Sequence, residues 1–129
     1  MTTLFQKIIV GEIPSYKVWE DEAHYAFLTI EPIRPGHTLV IPKKPITHLF
    51  DMEKDEYKEL MKVVRKVALL IQSKTKCEKV GVIVEGFGVK DHAHVHLVPL
   101  TGSGQLSFAH AQKAPPDELA KMQALLTSS

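Results

Sequence analysis

The sequence predicts an α+β fold, a five-stranded antiparallel sheet with one long helix and a short helix near each end. Three observations lead there. Five segments of strand length are rich in β-branched and aromatic residues, and most are joined by short connections, which favours antiparallel pairing. A single long stretch, 53–76, repeats its apolar residues at helical steps of three and four. Glycine and proline punctuate the chain between these segments, with no internal repeat and no composition break that would mark a second domain.

The elements follow in order. Residues 3–11 read as a short helix, with Leu4, Ile8 and Gly11 on one helical step, Phe5 with Ile9 on a second apolar row, and Gly11 and Pro14 to end it. Phe5 and Ile8 suit either plain core packing or the wall of a ligand pocket. Residues 16–20 alternate as a strand, Asp21-Glu22 makes a turn, and 23–30 forms a second strand hairpinned to the first. On that strand Phe27, Thr29 and Glu31 would share a face. Two prolines stiffen the loop Pro32-Ile33-Arg34-Pro35-Gly36. Thr38–Ile41 is a third strand, entered by His37 and closed by Pro42.

In the long helix, Leu60, Val63, Val64, Val67, Leu70 and Ile71 make one buried stripe. Asp55 and Glu56 near its start and Lys74 and Lys76 near its end complement its dipole. Val80–Glu85 is a fourth strand, and Gly86-Phe87-Gly88 is a turn able to bring backbone close to a ligand. The fifth strand follows and pairs antiparallel with the fourth. After Pro99 a Thr-Gly-Ser-Gly loop leads to a terminal helix over 116–126, started by Pro116 or Asp117. The expectation is a single domain over 1–129, with its core at about 4–100 and a C-terminal tail at about 101–129.

Composition bounds the function. Apolar residues are 44% and charged residues 24%, ordinary for a globular domain, and the net charge of +1 offers no broad field for nucleic acid or anionic membrane. Neither a membrane span nor a signal peptide is visible, and the lone Cys77 suits a reducing compartment. The expectation is a cytoplasmic protein.

The chemistry concentrates in Asp91-His92-Ala93-His94-Val95-His96-Leu97-Val98-Pro99, where three of seven histidines stand at every second position. In an extended segment the three imidazoles share one face about 6–7 Å apart, with Ala93, Val95 and Leu97 on the buried opposite face. Such a row can ligate zinc, or it can supply one nucleophilic imidazole with neighbours that orient it and stabilise charge. Spacing alone leaves both readings open.

The segment His92-Ala93-His94-Val95-His96-Leu97-Val98 resembles the signature of the histidine triad (HIT) family, three histidines alternating with apolar residues. The stretch from Ala26 through Glu31-Pro32-Ile33-Arg34-Pro35-Gly36-His37 to Lys43, and the opening Leu4–Pro14, resemble two further blocks of that family in the same order. The resemblance covers roughly residues 4–100. It implies a HIT-like five-stranded sheet, often paired edge to edge in a homodimer, and a nucleotide-binding hydrolase or transferase that needs no cofactor. It implies that His94 attacks the α-phosphorus of a nucleoside 5'-monophosphate conjugate, such as a phosphoramidate, giving a nucleotidyl-histidine intermediate. A neutral imidazole suits that role without a metal. By the same resemblance His96 bonds phosphate oxygens and leaving group, His92 positions His94, and His37 orients the triad. Phe5, Ile8, Phe27, Thr29, Ile30 and Val89 then line the nucleotide site. His24, His48 and His110 match nothing in the pattern and read as surface or packing residues.

The departures from the family pattern are informative. Thr29 stands where many members have an acidic residue that bonds the ribose, Val84 where asparagine is frequent, and Val89 where serine is frequent. Thr3 and Gln6 occupy the places of a Cys-x-x-Cys found in metal-binding members, so no metal site is expected. Pro99 matches the branch that cleaves dinucleoside polyphosphates, but Leu100 replaces the basic residue that often follows. A nucleotide- or partner-binding protein with little catalysis is the non-enzymatic alternative.

Overall fold

The computed structural model describes residues 2–129, so Met1 of the expected 1–129 domain lies outside the described residues. Helix α1 (Leu4–Ile9) leads into strands β1 (Tyr16–Glu20), β2 (His24–Leu28) and β3 (Thr38–Pro42). Helix α2 (Lys54–Thr75), strands β4 (Lys79–Ile83) and β5 (Val95–Leu100), and helix α3 (Pro116–Leu126) follow. Two 3-10 turns, Leu49–Asp51 and Phe108–His110, sit in the connections. The strands form one sheet in the order β1-β2-β3-β5-β4, every neighbouring pair antiparallel, as the connections predicted.

Strand alternation divides the core into two layers. Ala26, Leu28, Val40, Val95 and Leu97 pack toward α2 through Leu60, Val63, Val64, Val67 and Ile71. The alternate residues Tyr25, Phe27, Leu39 and Ile41 pack with Phe5 and Ile8 of α1 on the other side. Both faces of β2 and β3 are therefore covered, and every residue of the two strands is buried. Ala93, Val95 and Leu97 are buried as expected, Val95 and Leu97 in the layer under α2. The last helix packs against β1 and α2 and contributes Leu119 and Leu126 to the core.

Element ends differ from the sequence expectation for local reasons. Helix α1 is capped by Thr3, whose side chain accepts the Gln6 N–H while the Gln6 side chain accepts the Thr3 N–H. Helix α2 ends where Lys76 takes a left-handed conformation, φ 60°. Strand β2 stops at Leu28, because the Glu31 N–H bonds back to Thr29 Oγ1 at 3.2 Å and bends the chain ahead of Pro32.

The larger correction concerns the histidines. Strand β5 begins at Val95, so His92 and His94 precede it and only His96 lies on it. The reason is Pro42. Val40 pairs with Val95; two residues on, where Pro42 would face Ala93, Pro42 has no N–H to give and its carbonyl is taken by the His92 ring. The Ala93 N–H turns instead to the Ile46 carbonyl at 2.7 Å.

Candidate active site

The four histidines His37, His92, His94 and His96 gather where the start of β5 meets the ends of β3. Each ring has a specific partner, and the partners fix which nitrogen carries the proton. A carbonyl oxygen only accepts, so His92 Nε2, 2.6 Å from the Pro42 carbonyl, is a donor. His92 Nδ1 then accepts the Thr3 hydroxyl at 2.8 Å, and that hydroxyl oxygen accepts the Gln6 N–H at 3.0 Å. His92 is fully buried and burial lowers its pKa, partly offset by the Pro42 carbonyl. It does not reach the cavity described below, contrary to a row of three on one face; it stands behind His94.

His94 Nδ1 donates to the His92 carbonyl at 3.0 Å. In the neutral ring this leaves the lone pair on Nε2, the nitrogen on the far side. Phe5 presses edge-on against both rings, with centroids 5.4 Å from His92 and 5.2 Å from His94. Capping box, His92 and Phe5 together hold the His94 imidazole in one orientation.

A second chain runs through His37. Its Nδ1 accepts the Ile33 N–H at 3.0 Å, so its Nε2–H donates to His96 Nδ1 at 2.9 Å. Neutral His96 therefore carries its proton on Nε2. Burial pushes His37 down to about 4 and His96 down to about 3, His96 also feeling any charge on His94 and His37. At neutral pH both rings are uncharged. The result is a lone pair on His94 and an N–H on His96, on rings whose centroids are 4.9 Å apart.

Both rings open onto a cavity of about 540 Å³. Every residue assigned to the nucleotide site by resemblance lines it: Phe5, Ile8, Phe27, Thr29, Ile30 and Val89, together with His37, His94 and His96. Gly86 and Gly88 also line it, as their turn suggested, and a Cβ added at either would meet nothing within 4 Å. Glu31 lines it too, brought back toward Thr29 by the bend rather than carried away along a strand.

Other lining residues were missed. Phe108 stands edge-on to His96 at 5.0 Å and Ala111 lies nearby, both from the segment read as a tail. The Gln112 N–H bonds the Pro32 carbonyl and the Ala114 N–H bonds the Ile30 carbonyl, which ties that segment to the cavity wall. These are backbone bonds and leave no mark in the sequence. Thr3 was also missed as a support for His92, although Thr3-Leu4-Phe5-Gln6 is a legible capping box. Among the other histidines, His24 is buried against Asp21, while His48 and His110 are exposed.

The chain as a whole, with this histidine cluster beside its cavity, is similar to known proteins. A family model described as HIT domain covers residues 10–102. Protein hit of Bacillus subtilis is 36% identical over 126 residues, which span 90% of this chain and 86% of that protein. An adenosine 5'-monophosphoramidase of Saccharomyces cerevisiae is 33% identical over 125 residues, 92% of this chain and 77% of that protein. Among solved structures, a Hit-like protein from Bartonella henselae superposes with TM-score 0.83 at 29% identity, over 97% of this chain and 94% of that one. The chain belongs to the HIT family.

Proposed function

We propose that this protein hydrolyses a nucleoside 5'-monophosphate conjugate of the phosphoramidate type, through a nucleotidyl group carried on His94. The observation that supports this most is the orientation of His94: its Nδ1–H is held by the His92 carbonyl, which leaves Nε2 free on a ring that lines the cavity. In the first step the Nε2 lone pair attacks the α-phosphorus, the P–N bond to the leaving amine breaks, and the amine takes a proton from solvent. In the second step water attacks phosphorus, the bond to His94 breaks, and the released proton returns to solvent.

His96 contributes a hydrogen bond rather than a full proton. Its Nδ1 faces the His37 Nε2–H, and His37 cannot reverse its tautomer because its Nδ1 faces the Ile33 N–H. Ionised His96 would set two donors against each other, so the ring remains a neutral Nε2–H donor aimed at charge developing on the phosphoryl oxygens. His92 and His37 act as positioning residues behind these two. The scheme asks nothing of a metal ion, and exhaustive chelation should leave the rate unchanged.

The name of the yeast relative favours a phosphoramidate over a dinucleoside polyphosphate, as does Leu100 in place of a basic residue. We further read the protein as a homodimer. Strand β4 is a sheet edge that exposes Val82, and a second copy would cover it. The free, buried thiol of Cys77 favours a reducing compartment, the cytoplasm in our reading. No helix among the described residues is long and apolar enough to cross a membrane.

The test is His94→Ala assayed against adenosine and guanosine phosphoramidates. Turnover should fall by about three orders of magnitude or more while AMP still binds, because the reacting group alone is lost. Activity within tenfold of the parent would refute the assignment.

A further inference from the structure

A serine hydroxyl, backed by a buried tyrosine hydroxyl, stands on the β1 side of the cavity. Across the sheet, His96 pairs with Leu39, Leu39 with Phe27 and Phe27 with Lys17. From β5 to β1 that is three strand spacings, about 14 Å. Ser15 lies at the entry to β1 and lines the cavity there. Its Oγ is 2.8 Å from the hydroxyl of Tyr25, a buried residue whose ring packs on Phe27 at 5.7 Å. Elsewhere on this side the wall is apolar: Leu4, Ile8, Ile13 and Phe27. A nucleotide with its phosphate at His94 would direct its base toward this wall.

Resting on the nucleotide reading above, we propose that the Ser15–Tyr25 pair reads the edge of the nucleobase, and that it serves adenine and guanine alike. Two hydroxyls hold two protons, and their mutual bond uses one. When Tyr25 donates to Ser15, the Ser15 O–H is free to donate to the base; when Ser15 donates to Tyr25, the Ser15 oxygen is free to accept. Adenine offers an amino donor at its exocyclic position, and guanine offers a carbonyl acceptor. The pair satisfies either by reversing one bond, with no movement of heavy atoms. A purine without an exocyclic group offers neither partner and leaves the pair unmatched.

The experiment is calorimetric binding of AMP, GMP and the 5'-monophosphate of unsubstituted purine riboside, which does not depend on turnover. The parent should bind AMP and GMP within about threefold of each other, and both about three- to tenfold more tightly than the unsubstituted purine nucleotide. Ser15→Ala should remove that preference, bringing all three together, while Ser15→Thr, which keeps the hydroxyl, should retain it. Equal binding of all three by the parent would overturn this inference and leave the nucleotide reading standing. So would Ser15→Ala weakening all three equally, which marks a structural role. Failure of every nucleotide to bind would overturn both.

Discussion

At the scale of single residues, the site depends on which nitrogen of each imidazole carries a proton. The alternation of His92, His94 and His96 was legible in the sequence, but their unequal situations were not. His92 is consumed by Thr3 and the Pro42 carbonyl, His94 keeps a lone pair, and His96 keeps an N–H. For His92 and His96 those differences come from contacts 50, 59 and 89 residues apart in the chain, which no local pattern carries. They predict a ranking. His96→Ala should lower kcat by about 10²–10³, the cost of one donor aimed at developing charge. Thr3→Val, which loses only the hydroxyl that holds His92, should cost about tenfold or less in kcat with KM little changed. An equal loss from both would show that His96 does no more than orient its neighbour.

At the same scale, the sugar contact is open to measurement. The Thr29 oxygen already accepts the Glu31 N–H, so its hydroxyl proton is left for one neutral bond to ribose. A neutral hydrogen bond contributes about 0.5–1.5 kcal/mol, so 2'-deoxyribose substrates should lose less than about tenfold in kcat/KM. A hundredfold preference that disappears in Glu31→Gln would transfer the sugar contact to Glu31, which also lines the cavity.

At the scale of elements, all five strands and three helices were readable because periodicity and breakers agree along most of the chain. What was not readable was where β5 begins, since that depends on Pro42 in a different strand. The turn that brings His37 into place depends on Gly36, which has φ +96° and lies so close to Pro99 that a Cβ would fall 2.9 Å from its Cγ. Both the backbone conformation and the space demand glycine there. Gly36→Ala should destabilise the fold by about 1–3 kcal/mol in denaturant titration and reduce kcat through His37. A variant of unchanged stability would contradict the packing of that loop on β5.

At the scale of the whole molecule, a cluster of neutral imidazoles links stability to pH. His37 and His96 ionise at about 4 and about 3 in the folded protein, and His92 is also lowered, against about 6.5 for an unfolded histidine. Between these values the unfolded chain binds more protons than the folded one. Stability is therefore complete above about pH 7, and it falls as pH drops through 6.5 toward 4. Denaturant titration should show a loss of a few kcal/mol between pH 7 and pH 5, a range above the carboxylates. His37→Asn, which can still accept the Ile33 N–H and donate to His96, should flatten that slope. A parent equally stable at both pH values would mean that these rings are not held neutral. This coupling was invisible in the sequence, because burial of each ring is a property of the assembled layers.

The most direct test of the account follows a single turnover of adenosine 5'-phosphoramidate by rapid quenching, with intact-protein mass spectrometry and peptide mapping of each sample. A transient gain of one adenylyl group, mapped to His94 and decaying as AMP appears, is the predicted result. AMP forming in the same samples with the group on another residue, or with no labelled protein at any time, would contradict it.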